Sequence, residues 1–228
     1  MLKDHRPYYI KRFYNKFQKM YARYFLAPQF EVFGRGLVFM KPWHVEIFGG
    51  PVSLGDYSNV IATPDKKVRL TVWPAWKSSG RIEIGRCCLI CPGTRIMAAT
   101  SVTMGDGCMT AQHVSISDSD WHDLYDRSQP VGVTQAVRIG NNVWLGENAV
   151  IGAGSIVVKD IPANAIAAGN PAAVIKYLDP DKPIRTRMEW LANPAKLAEE
   201  FEEIDRDMMK GNTMIGWFRS LLFPRKGD

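Results

Sequence analysis

No stretch of this 228-residue chain is apolar for long enough to cross a bilayer, so a helical membrane span is not expected. Cysteine is scarce. The four present are Cys87, Cys88, Cys91 and Cys108, three of them together as CCLIC. A zinc site would need matching ligands at the right spacing elsewhere, and only Cys108 is left over, so no metal is expected. Small buried side chains with free thiols, suited to a reducing compartment, are the simpler expectation. Histidine is equally sparse: His5, His44, His113 and His122. Helix-turn-helix, zinc-finger and RNA-binding aromatic patterns are all lacking, which removes nucleic acid as an expected partner. The opening residues do not form the smooth apolar stretch of a secretory signal, so the expected location is cytoplasmic, with the inner membrane face as a candidate station.

What is there is uneven. The net charge of +6 matches the excess of residues 1–35 alone, where eight Lys or Arg face only Asp4 and Glu31. An acidic run, EEFEEIDRD, follows much later, and the end turns basic and apolar again. Residues 8–26, YYIKRFYNKFQKMYARYFL, have helical spacing, with Ile10, Phe13, Phe17, Met20 and Tyr24 on one side, and Pro28 ends the pattern. A basic helix rich in Tyr and Phe fits a lipid interface, as does MIGWFRSLLFPRK within residues 212–226; packing between subunits is the other reading. Three segments are expected: a basic amphipathic arm at 1–35, a central domain at 36–176, and a helical extension with a basic apolar tail at 177–228.

The central segment counts in sixes. Ile84, Ile90 and Ile96 fall six apart, and so do Ile139, Leu145, Ile151 and Val157. Cys88, Thr94 and Thr100, then Val143, Ala149, Ser155 and Ile161, take the fifth place after each. Glycine commonly follows the first place, as at Leu54-Gly55, Met104-Gly105 and Ile139-Gly140. A helix repeats near 3.6 and a strand at two, so a period of six implies a short strand followed by a corner. Three such sides close a triangular coil of about eighteen residues, with first and fifth places pointing inward and glycine freeing the corner. Each strand then pairs with its counterpart one coil away, about 4.8 Å distant. This is a parallel β-helix of hexapeptide repeats, an all-β core flanked by helical ends. A polar stretch, SDSDWHDLYDRSQPVGVTQ, breaks the count and marks a projecting loop over residues 117–136.

The stretch NNVWLGENAVIGAGSIVVKDIPANAIAAGNPAAVIK resembles the closing signature of hexapeptide-repeat acyltransferases with a left-handed β-helix. It is most similar to the sugar and polysaccharide O-acetyltransferase branch, and the resemblance covers roughly residues 50–176. It implies a homotrimer, with acetyl-CoA as acyl donor in the groove between neighbouring prisms. It also implies a histidine on a projecting loop that acts on an acceptor hydroxyl of a sugar or lipid-linked glycan. That histidine is His122. Trp144 resembles the tryptophan that shapes the groove near it. Gly146, Ala149 and Lys159, with Ala167, Ala168, Asn170 and Lys176, lie along the stretch that such enzymes use toward the cofactor. The chain departs from many relatives in lacking a coil between the tryptophan repeat and IGAGS.

Transfer from a thioester to a hydroxyl needs a base for the proton, a donor for the oxyanion and a groove that holds both substrates. Imidazole suits the first task at neutral pH. The thioester is already activated, so direct attack suffices. His113, just before an inward valine, is expected to point outward as a neighbour of the acceptor. Asp118 and Asp120 either orient the imidazole and bind sugar hydroxyls or form turns. Trp121 stacks on a sugar or anchors the loop. N-acyl transfer to an aminosugar and a non-catalytic β-helix scaffold are the alternatives.

Overall fold

In the computed structural model, residues 4–75, 78–120, 132–145, 157–179, 181–223 and 225 are described. A helix, α1 (Tyr8–Tyr21), opens the chain and passes into a π turn at Ala22–Leu26 and a 3-10 turn at Ala27–Gln29. The strands then follow in threes. The first coil holds β1 (Val32–Phe33), β2 (Val38–Met40) and β3 (Val45–Phe48). The second holds β4 (Val52–Leu54), β5 (Asn59–Ile61) and β6 (Val68–Val72), and a small hairpin of β7 (Pro74–Ala75) and β8 (Ser78–Ser79) comes after it. The third is β9 (Ile82–Ile84), β10 (Leu89–Ile90) and β11 (Arg95–Ala98), and the fourth is β12 (Val102–Met104), β13 (Met109–Thr110) and β14 (Ser115–Ser117). A fifth begins with β15 (Val137–Ile139) and β16 (Trp144–Leu145). Each strand pairs in parallel with the one a coil away, giving three faces: β1-β4-β9-β12-β15, β2-β5-β10-β13-β16 and β3-β6-β11-β14. This is the parallel β-helix expected from the sixes.

The coil is longer than expected. Glu83 pairs with Thr103, Leu89 with Met109 and Arg95 with Ser115, a step of 20 residues rather than about eighteen. The sixes hold across two corners, from Ile84 to Ile90 to Ile96, and the third corner takes eight to reach Met104. Thr100 therefore leaves the inward fifth place that a strict count assigns it; Ala98 and Ala99 are the buried residues there. The first coil also starts at Val32, well before the first clear repeat at Leu54.

The inward columns are the first-place residues Leu54, Ile84, Ile90, Ile96 and Met104, all essentially without solvent contact. Each such side chain contributes about 1.5–3 kcal/mol on burial. The small fifth-place residues carry hydrogen bonds between coils. Ser58 donates to the Gly85 carbonyl at 3.1 Å, and the thiols of Cys88 and Cys108 point at the Gly105 and Gly140 carbonyls at 3.2 and 2.9 Å. Thr94 and Thr110 share a buried hydrogen bond of 2.9 Å. All four cysteines are free. The contact with the Cys108 thiol, with burial second, pushes Cys88 above the ordinary thiol value, and burial raises Cys91.

Glycine at the first corner does a different job from the one read in the sequence. Gly55, Gly85 and Gly105 have ordinary backbone angles. A Cβ on Gly55 would lie 2.5 Å from the Gly85 carbonyl carbon, and one on Gly85 would lie 2.7 Å from that of Gly105. Successive coils touch backbone to backbone, so the missing atom matters and not the freed dihedral. The next residue seals the corner: the Asp106 carboxylate accepts from the Arg86 N–H at 2.8 Å, and Asp56 from the Arg35 N–H at 2.7 Å.

The chain divides into two compact units, residues 21–192 and residues 1–20 with 193–228. Residues 1–20 of the arm and 193–228 of the extension, expected in separate segments, thus share one unit, while residues 21–35 and 177–192 belong to the larger one. In the larger unit, Ala22, Leu26 and Phe30 join the core, and Phe30, Phe33 and Phe39 form a chain of rings 5.5 and 5.8 Å apart. A hairpin of β17 (Ala165–Ala168) and β18 (Ala173–Tyr177) follows the coils, the strands now antiparallel. A short helix, α2 (Arg187–Trp190), opens with a capping box between Thr186 and Glu189, and Arg187 Nε donates to the Cys87 carbonyl at 2.8 Å. The smaller unit adds α3 (Pro194–Met208), capped by Asn193, and α4 (Met214–Leu222), capped by Thr213. There Lys11 pairs with Asp205 at 2.6 Å, Tyr8 donates to Glu202 at 2.5 Å, and Asn212 donates to the Asp4 and Arg6 carbonyls.

Replacing Gly85 by Ala forces a methyl into the neighbouring backbone. The expected loss is about 2 kcal/mol or more, read as a lower denaturation midpoint in urea at unchanged slope.

Candidate functional site

The loop expected at 117–136 leaves the prism at the third corner of the fourth coil. Its root is Asp118, 3% exposed. One carboxylate oxygen accepts from the Ala99 N–H at 2.7 Å, and the other from Thr100 and Ser101 at 2.7 and 2.6 Å. Three donors from the corner of the preceding coil thus converge on one carboxylate, an arrangement of strong charge-assisted hydrogen bonds. Of the two roles weighed for Asp118, this is the geometry of the turn-former.

Beyond it the chain ends of the loop pair as a stem. Ser119 bridges Thr134 in antiparallel fashion, the Asp120 N–H donates to the Val133 carbonyl at 2.9 Å, and Gly132 donates back to the Asp120 carbonyl at 2.7 Å. Gln135 donates to the Asp118 carbonyl at 2.8 Å. The Asp120 side chain is exposed at the outer end of this stem. Trp121 and His122 follow at once and lie outside the described residues. The sequence marked the interruption but not the stem, because Thr134 and Gln135 carry no pattern that distinguishes a paired strand from a loop.

The structure does not bring His113 to this corner. His113 stands at the second corner, one strand away, with φ of 61°. Its N–H donates to the Pro92 carbonyl, and Nδ1 comes within 2.9 Å of where a Cβ on Gly93 would stand. The ring is exposed and lies beside glycine of the neighbouring coil. Five residues of chain, about 16 Å when extended, separate it from Asp118.

Trp144 is on a third location, the face formed by β2, β5, β10, β13 and β16, where it is 45% exposed. Its outward row runs Val38, Asn59, Leu89, Met109, Trp144. The stem leaves the corner opposite this face. Gly146 and Ala149 lie outside the described residues. Lys159 is exposed; Ala167 is fully buried and Ala168 half-buried on β17, and Asn170 and Lys176 are exposed on the hairpin that follows. The side chain of Lys176 is therefore available to a ligand, while Ala167 offers none of its surface. Among the described residues no cluster of His, Cys, Asp or Glu is placed to hold a metal.

No family model matches the chain. A galactoside O-acetyltransferase of Escherichia coli is 38% identical over 125 residues, covering 48% of this chain and 61% of that protein. The resemblance to acetyltransferases read in the sequence is thus found again in a named relative. Serine acetyltransferase 4 of Arabidopsis thaliana is 30% identical over 108 residues, covering 46% of this chain and 30% of its own. The chain spans less than two thirds of either relative. Among solved structures, the polysialic-acid-specific acetyltransferase NeuO is 22% identical, covers 78% of this chain and 99% of its own, and aligns with a TM-score of 0.35, a superposition too loose to bear on the site.

Asp118→Ala should cost about 2–3 kcal/mol of stability, because three N–H groups lose a charged acceptor. Asp118→Asn, which keeps one acceptor oxygen, should cost less. Thermal or urea unfolding of the two variants orders them.

Proposed function

We propose that the chain is an acetyl-CoA-dependent O-acetyltransferase that moves an acetyl group onto a hydroxyl of a sugar or glycan. The observation that carries this reading is the similarity to a galactoside O-acetyltransferase across 125 residues, on a chain built as a parallel prism. His122 is the general base. It follows the exposed end of the stem by two residues, so the stem fixes the point from which it reaches the acceptor. Its imidazole takes the hydroxyl proton as the oxygen attacks the thioester carbonyl, and later passes that proton to the departing CoA thiolate. A backbone N–H of the groove steadies the oxyanion. Asp120 and Trp121 stand beside His122 in sequence and contact the acceptor sugar.

The donor side is Trp144 with Gly146, Ala149, Lys159, Ala168, Asn170 and Lys176. The stem leaves the corner opposite the Trp144 face, so on this reading the two meet at a seam between two copies, with the corner of one against the face of the next. The outward row that ends in Trp144 supports this, because Val38, Leu89 and Met109 are apolar and only Asn59 is polar. Such a head-to-tail contact closes into a ring, and the homotrimer that the family resemblance implies, with acetyl-CoA along each seam, is one such ring.

His122→Ala should lower kcat/KM about 10²–10⁴-fold in a CoA-thiol release assay over a panel of sugar acceptors. Binding of CoA and the trimer mass should stay as in the parent chain. Unchanged turnover rejects the base, and release seen only with amine acceptors moves the reading to N-acyl transfer. Trp144→Ala should raise KM for acetyl-CoA several-fold with a smaller effect on kcat.

A further inference from the structure

The smaller unit presents an apolar surface that a water-soluble helix normally hides. An amphipathic helix buries its apolar stripe and exposes its charges. In α1 an aromatic arc is left exposed as well as the charges. Gln18 is the buried residue, and Lys11 and Tyr8 are drawn onto the acidic side of α3 through Asp205 and Glu202. Arg206 of α3 also lies over the Tyr8 ring at 5.6 Å. These contacts fix the rotation of α1 within the unit. At 100° per residue they leave Tyr9, Phe13 and Met20 on a single outward arc, where they are 58%, 71% and 61% exposed. Arg12, Lys16 and Lys19 are exposed on the adjoining arc. The last helix of the same unit also leaves apolar residues outside, with Ile215, Leu221 and Leu222 exposed and Phe223 exposed at its C-cap.

We propose that α1 docks this protein onto an anionic bilayer surface. The aromatic arc enters the headgroup boundary and the neighbouring cations meet lipid phosphates. Side-by-side aromatic and basic stripes are what an interfacial helix needs. Neither stripe alone would select a lipid surface. At about 21 Å the helix is too short to span a bilayer, and no helix among the described residues is long and apolar enough to cross one. A self-complementary second copy fits the surface poorly, because a contact along α1 would set Arg12, Lys16 and Lys19 of one chain against the same residues of the other. Of the acidic groups of α3, Glu202 and Asp205 already face α1 from within the unit. This inference stands apart from the acyl-transfer chemistry.

The experiment is vesicle co-sedimentation of the full chain, with vesicles of phosphatidylcholine alone and of phosphatidylcholine with about one third phosphatidylglycerol. The chain should pellet with the anionic vesicles and not with the neutral ones, and added salt should weaken binding. Phe13→Ser with Met20→Ser should reduce the bound fraction at least about tenfold. Lys16→Glu with Lys19→Glu should abolish the preference for anionic lipid. Helix content by circular dichroism and mass by light scattering check that both variants remain folded and assembled. Turnover of a water-soluble acceptor should be unaffected by either pair, which separates this test from that of the transferase reading. Equal sedimentation of parent and variants overturns the proposal. So does a serine pair that lowers the assembled mass while lipid binding persists, which would assign the arc to a contact between copies.

Discussion

Backbone meets backbone at the first corner of the first four coils, and that approach sets the rest of the larger unit. Where Gly55 stands over Gly85, and Gly85 over Gly105, there is no room for one more carbon atom. The closeness brings each coil into hydrogen-bonding distance of the next, so the ladder of one strand is completed by the following coil. It also puts the Gly105 and Gly140 carbonyls within reach of the buried thiols of Cys88 and Cys108. Cys88 is a small side chain in a tight column, held protonated by its neighbour and its burial.

A prism made this way offers few places for chemistry. Its interior is filled, and strand pairing consumes the backbone of its faces. Only a corner can release chain without breaking a ladder. In the third coil the third corner takes eight residues where the others take six, and in neighbouring coils β7–β8 and the stem both leave from that corner. Asp118 makes the longer excursion tolerable. By collecting the N–H groups of Ala99, Thr100 and Ser101, it satisfies a buried turn of one coil with a carboxylate from the next. The stem is thus rooted in a buried structural residue, Asp118, near the head of the SDSDWH motif.

Much of this was legible in the sequence because the inward columns require it. Ile84, Ile90 and Ile96 have to be apolar and evenly spaced, and a period of six survives any amount of variation on the outside. Corner chemistry was less legible. Thr100 occupies a place that a strict count puts inside, and only the eight-residue corner moves it out. The reason for glycine was misread for a related cause: a residue chosen for a missing atom and one chosen for a free dihedral look the same in a sequence. Asp118 and Asp120 are likewise indistinguishable as letters. One is buried under three N–H donors and the other is exposed at the tip of a stem.

Helix α1 shows the limit most plainly. Periodicity found its aromatic stripe, but periodicity carries no sign and cannot tell which side faces inward. The deciding residues are 194 positions away, where Glu202 and Asp205 hold Tyr8 and Lys11 and so turn the aromatics outward. The acidic run EEFEEIDRD acts as a clamp on α1. Both ends of the chain thereby belong to one unit, while the coils and the stem belong to the other. The division follows from what each part can bury: the prism closes on its own columns, and the helical unit leaves its most apolar arc uncovered.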